Sequence, residues 1–132
     1  MDIPKNCLYS RDHFWIRPEG NEAVIGVTDW AQRELGEIEF VDLPELEEEV
    51  DTFVSCGVLK SDKAVSDLTA PLSGEVKEVN FDLESSPDQV NEDPYGEGWL
   101  FRIEIADSEQ LSALMTPEQY EDYIIDLEVE EE

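Results

Sequence analysis

Short apolar runs separated by turn chemistry fill the first half of the chain. Phe14-Trp15-Ile16 is closed by Pro18-Glu19-Gly20-Asn21, residue types that favour turns. Ala23-Val24-Ile25-Gly26-Val27, rich in β-branched residues, reads as the hairpin partner. Thr28 can cap a short helix carrying Trp30, Ala31 and Leu35 at helical spacing, with Gly36 as its stop. Ile38 to Leu43 reads as strand and ends at Pro44, Leu46 to Thr52 as an acidic loop, and Phe53 to Leu59 as strand again. Lys60-Ser61-Asp62-Lys63 lies between apolar runs as a hairpin tip, and Ala70 to Gly74 as a further turn.

The second half changes character. Glu75 to Val79 and Trp99 to Ile105 alternate polar with apolar, the period of a half-buried strand. Phe81 to Tyr95, with two prolines and several Asp and Asn, reads as a long loop. A helical stretch covers Gln110 to Met115. Thr116-Pro117-Glu118 then supplies a cap and a first-turn proline for a helix to about Leu127, before an acidic tail at 128–132. The expected fold class is mainly β with C-terminal helices, a small sandwich or barrel. The chain 1–132 reads as one domain, its core over 9–127.

Charge narrows the function classes. Thirty-five acidic against eight basic residues leave a net charge of −27. Nucleic-acid affinity needs Lys and Arg to displace counterions, so such a partner is excluded. Docking on an anionic membrane is disfavoured for the same reason. No apolar run reaches the roughly 20 residues of a membrane span, and the start lacks a signal-peptide core, so a soluble cytoplasmic protein is expected. Leu, Ile, Val and Phe still supply 36 of the 132 residues, above the roughly 20% below which chains fail to build a core.

Cys7 and Cys56 are far apart and form no metal or redox motif, and His13 is the single histidine. A multi-histidine metal site or a Ser-His triad has little to build on. Cys56, in the strand leading to the tip, reads as a buried thiol with a weak claim to thiol exchange. Trp30 and Trp99 read as core aromatics. These features describe a non-enzyme.

The exception is Lys63. A lysine at a tip between two strands offers its ammonium to another protein with little backbone mobility beneath it, which suits a lysine that is acylated and carried between partners. Residues 9 to 125 resemble the H-protein family of the glycine cleavage system. The likeness runs through Val24-Ile25-Gly26-Val27-Thr28-Asp29-Trp30-Ala31-Gln32, Leu35-Gly36-Glu37-Ile38 and Phe40-Val41-Asp42-Leu43-Pro44. It continues in Lys63-Ala64-Val65-Ser66-Asp67-Leu68, Ala70 to Asn80, and Val90 to Trp99. The resemblance implies a barrel-sandwich hybrid, lipoyl-domain-like, with lipoate in amide linkage to Lys63. It assigns arm or ligase recognition to Asp62, Ala64 and Asp67. It also implies a lipoate–protein ligase and dihydrolipoyl dehydrogenase as partners.

Two departures qualify the likeness. The family typically reads Glu-Ser-Val-Lys-Ala at the lipoyl site, where this chain has Lys60-Ser61-Asp62-Lys63-Ala64. Asp62-Lys63-Ala64 is closer to the lipoyl domains of 2-oxoacid dehydrogenases. The family also carries His-Glu-Trp, its glutamate helping to hold the amine of a loaded arm; here the residues are His13-Phe14-Trp15. Phe14 offers an ammonium neither charge nor acceptor, though Asp12 stands nearby and Asp67 is retained. These departures lean the expectation toward H-like lipoate-binding proteins that serve sulfur-compound oxidation with a heterodisulfide-reductase-like complex. The alternative is the glycine-cleavage carrier of an aminomethyl group, working with the P, T and L proteins. A third reading is an unlipoylated adaptor.

Overall fold

The computed structural model describes residues 2–131, with side-chain surroundings through Glu128. Strands β1 (Leu8–Tyr9), β2 (Phe14–Glu19) and β3 (Glu22–Val27) form an antiparallel run. Helix α1 (Asp29–Leu35) follows, then β4 (Ile38–Asp42), β5 (Glu49–Val50), β6 (Ser55–Ser61), β7 (Val65–Thr69) and β8 (Gly74–Val79). A 3-10 turn at Phe81–Glu84 and a one-turn helix α2 (Gln89–Glu92) lead to β9 (Phe101–Ile105). A 3-10 segment, Ser108–Ala113, precedes the C-terminal helix α3 (Pro117–Glu131).

Six strands form one sheet in the order β1-β2-β3-β9-β8-β5, and β4-β6-β7 form a second. The fold is the mainly β barrel-sandwich expected, with a helix at the C-terminal end. Ile16, Ile25, Val76 and Ile103 pack in one apolar cluster with Ile38, Leu59 and Leu68 from the smaller sheet. A second cluster, Cys7, Tyr9, Trp15, Val24, Tyr120 and Ile124, fixes α3. Trp15 and Gly26 are cross-strand partners. A Cβ at Gly26 would fall 2.5 Å from the Trp15 indole, so glycine is what lets the ring lie flat there.

Local chemistry explains the elements. Thr28 caps α1 by accepting the Ala31 N–H, and Gly36 ends it with φ 87. Pro18 and Glu19, expected in the turn, instead pair with Ala23 and Glu22. The missing N–H of Pro18 costs nothing because β1 pairs only as far as Trp15 and Ile16, leaving that edge open. Phe53 and Val54, expected to start a strand, form a turn. Phe53 has φ 66 and is 75% exposed, and β6 begins at Ser55. Within the expected long loop lie the 3-10 turn and α2, and Glu49–Val50 within the expected acidic loop pairs with β8. Helix α3 runs to Glu131, beyond the expected stop near Leu127, so the acidic end is helical rather than a frayed tail; Glu132 lies outside the described residues. No described helix is long and apolar enough to cross a membrane.

Candidate functional site

The β6–β7 hairpin is tighter than its sequence suggests. Lys60 and Ser61 belong to β6, and Lys60 pairs with Val65 on one side and Phe40 on the other. The tip is therefore Asp62 and Lys63, with Ala64 leading back. Ser61 shapes it: its hydroxyl accepts the N–H of Ala64 at 3.0 Å and of Lys63 at 3.3 Å. Its own N–H donates to Ala64 O at 2.8 Å. Such side-chain-to-backbone bonds fix a turn without the aid of glycine.

The tip rests on the end of α1. Asp62 N–H donates to Glu37 O at 3.1 Å. A Cβ at Gly36 would lie 2.8 Å from both Lys63 Cε and Asp62 Oδ1. Asn91 braces this corner from α2: its amide nitrogen donates to Gly36 O at 2.7 Å and Gln32 Oε1 at 3.0 Å, and its oxygen accepts Ile38 N–H at 2.8 Å. Lys63 is thus an exposed side chain on a backbone held from three directions. Arg17, Arg33, Lys77 and Arg102 are tied to carboxylates, whereas Lys60 and Lys63 form no ion pair among the described residues.

Beside the tip runs a cleft of about 520 Å³. Phe14, Val27, Trp30, Ala31, Leu35 and Leu59 give it apolar walls. Asp12, Glu34 and Asp67, with Arg11, His13, Ser66 and Thr69, supply its polar lining. Asp12 is held by Thr69, whose hydroxyl donates to its carboxylate at 3.4 Å. Burial pushes His13 down to about 4, with Asp12 opposing, so the imidazole is neutral at pH 7.

The four residues singled out by resemblance are spread over this region. Asp62 and Lys63 form the tip, Ala64 closes it, and Asp67, in the middle of β7, lines the cleft. Phe14 is 5% exposed and belongs to the core as well as to the cleft wall. Lys60 lies on the outer face of β6, outside the turn. Trp30 and Trp99 are half-buried against the second cluster, and the fully buried indole is Trp15. The Cys56 thiol is pushed up to about 11 by burial and by Glu48, leaving little thiolate for exchange at neutral pH. The sequence reading missed Ser61, Asn91 and Glu34. An uncharged residue between Lys60 and Asp62 was the only local signal for Ser61; the other two matter only through contacts made across the fold.

The model of the glycine cleavage H-protein family matches residues 7–127. The chain belongs to that family. It is 50% identical over 119 residues to a glycine cleavage system H protein of Carboxydothermus hydrogenoformans, covering 90% of this chain and 92% of that one. It is 45% identical over 128 residues to one from Halothermothrix orenii, covering 97% and 100%. It also resembles the crystal structure of a glycine cleavage system H protein from Mycobacterium marinum. There the TM-score is 0.79 at 37% identity, over 89% of this chain and 95% of that one. H-family proteins are non-catalytic carriers with lipoate bound covalently to a lysine. The donor chemistry here fits that group: an exposed, unpaired amine on a fixed tip beside a cleft with apolar walls.

Proposed function

We propose that this chain is the H protein of a glycine cleavage system, a single carrier domain over 1–132 working in the cytoplasm, with lipoate on Lys63. The observation that carries the reading is the placement of Lys63: exposed, unpaired, on a tip fixed by Ser61 and Gly36, next to the cleft. Lipoate supplies a disulfide that exchanges reversibly with thiols. The tip holds the attachment point still, so that contact with a docked enzyme is effectively intramolecular. The apolar walls give the arm a resting place out of water. Asp12, Glu34 and Asp67 set carboxylates where an ammonium on a loaded arm needs a charged partner. Asp62 and Ala64 present the tip to the lipoate–protein ligase.

These three carboxylates remove the main reason for preferring sulfur-compound oxidation. That reading rested on the altered tip at Lys60 and Asp62 and on Phe14 offering no acceptor, yet the same cleft keeps three carboxylates. The family match and both H-protein relatives favour glycine cleavage, with the P, T and L proteins as partners, the last being the dihydrolipoyl dehydrogenase. Reconstitution tests this directly. The lipoylated chain with P, T and L proteins should support glycine–bicarbonate exchange. A folded, fully lipoylated chain that supports none, but turns over with a heterodisulfide-reductase-like complex, reverses the assignment. Absence of any lipoyl group in a cell that lipoylates other proteins returns the unlipoylated adaptor.

A further inference from the structure

Helix α3 reaches one wall of the cleft with two tyrosines a turn apart. Tyr123 Oη donates to Arg11 O at 3.2 Å, and Tyr120 Oη stands 2.9 Å from His13 Nδ1. Arg11 to Phe14 is the cleft wall on that side. His13 has φ 70, a conformation a residue with a side chain keeps only where its surroundings impose it. Its ring stacks on Trp30 with centroids 4.1 Å apart and on Tyr123 at 5.6 Å, and meets Tyr120 edge-on at 5.8 Å.

The same phenol oxygen reaches the facing wall. Tyr120 Oη lies 2.7 Å from Thr28 Oγ1, and Thr28 accepts the Ala31 N–H at 3.2 Å as the cap of α1. Helix α1 supplies Trp30, Ala31, Glu34 and Leu35 to the cleft. The two bonds are coupled through one proton: with Nδ1 unprotonated, Tyr120 donates to His13 and accepts from Thr28; with Nδ1 protonated, Tyr120 accepts from His13 and donates to Thr28. One fully buried hydroxyl joins the two walls from behind.

We propose that Tyr120 is a positioning residue that sets the spacing of the cleft walls, so that seating of the Lys63 arm depends on the C-terminal helix α3. This rests on the cleft being the arm's resting place. Removing the hydroxyl strands His13 Nδ1 and frees the α1 cap from α3, while the ring keeps its stack on Tyr9 at 4.6 Å.

The test uses the full-length lipoylated protein, reduced and freed of reductant, and measures alkylation of the arm thiols by a bulky maleimide against free dihydrolipoamide. Lys63→Arg protein gives the background from Cys7 and Cys56. In the wild-type chain the arm should react more slowly than free dihydrolipoamide. Tyr120→Phe, with an unchanged circular dichroism spectrum, should react roughly three- to tenfold faster, the scale of one lost buried hydrogen bond. Ile124→Val, a core change on the same helix, should not accelerate the reaction. If Tyr120→Phe fails to fold, Thr28→Val, which removes the hydroxyl's partner on the α1 side from outside the cleft lining, carries the same expectation. A wild-type rate in the Tyr120→Phe chain, or equal acceleration by Ile124→Val, overturns the proposal and leaves the arm's seat intact. A wild-type arm as reactive as free dihydrolipoamide overturns both.

Discussion

Ser61 and Ala64 close the tip on each other: Ser61 N–H donates to Ala64 O at 2.8 Å, and Ala64 N–H donates to Ser61 Oγ at 3.0 Å. The pair holds the backbone on either side of Lys63, and Ser61 is 5% exposed, so water replaces its hydroxyl poorly. Ser61→Ala should cost about 1 kcal/mol, the net scale of a hydrogen bond whose amide partners on Lys63 and Ala64 sit at an exposed tip. Urea unfolding reads that loss. The rate of lipoyl transfer to Lys63, followed by intact mass, should fall with it, because the ligase then meets a looser tip.

Gly36 carries a second constraint on the same tip. Its φ of 87 and ψ of −161 lie in a region held almost only by glycine. Gly36→Ala adds a Cβ 2.8 Å from Lys63 Cε and Asp62 Oδ1. The side chains can swing aside, but the backbone cannot, so a loss of about 1–3 kcal/mol is expected. Amide shifts of Asp62 and Lys63 should move with it, a local signature that a distant destabilising change lacks.

His13 makes stability depend on pH in a defined window. Its ordinary value is 6.5 and burial lowers the folded value to about 4. The unfolded chain therefore binds the proton first, and its advantage grows as pH falls from about 6.5 toward 4. Stability from this group is complete above pH 7 and declines through that window. Partial exposure screens the effect to about 1–2 kcal/mol. Glu19, held low by Arg102 and Arg17, contributes stability that is present above its ordinary value of 4.5 and lost as pH falls below it, so it adds little slope between pH 7 and 5. Between pH 7 and 5, the urea midpoint of wild type should fall more steeply than that of His13→Asn. Parallel slopes contradict the assignment.

Much of the fold could be read from the sequence because its signals are local. The β2–β3 hairpin, the Thr28 cap, the Gly36 stop and the Pro117 helix start each need only a few neighbouring residues. Glu49–Val50 is too short to show a period, and Phe53 is an apolar residue whose backbone turns away from the sheet. Lys63 combined a local pattern with a family likeness. The cleft was illegible: Asp12, the α1 residues Trp30 and Glu34, and Ser66 come from three separate stretches, and only the closed barrel brings them together.

Net charge of −27 should make the folded chain sensitive to salt. From about 0.01 M to about 1 M, the Debye length shrinks from roughly 30 Å to roughly 3 Å, and self-repulsion among surface carboxylates fades. The melting temperature should rise across that range. Affinity for partners with basic docking faces should fall over the same range. Binding that strengthens with salt assigns the charge to solubility or salt adaptation instead of docking.

The central claim is that the arm is carried at the tip, on Lys63 and not on Lys60. Tandem mass spectrometry of protein isolated from lipoylating cells tests it most directly. The prediction is a lipoyl group on the peptide at Lys63, an unmodified Lys60, and complete loss of the modification in a folded Lys63→Arg chain. A lipoyl group on Lys60, or modification that persists in Lys63→Arg, contradicts it.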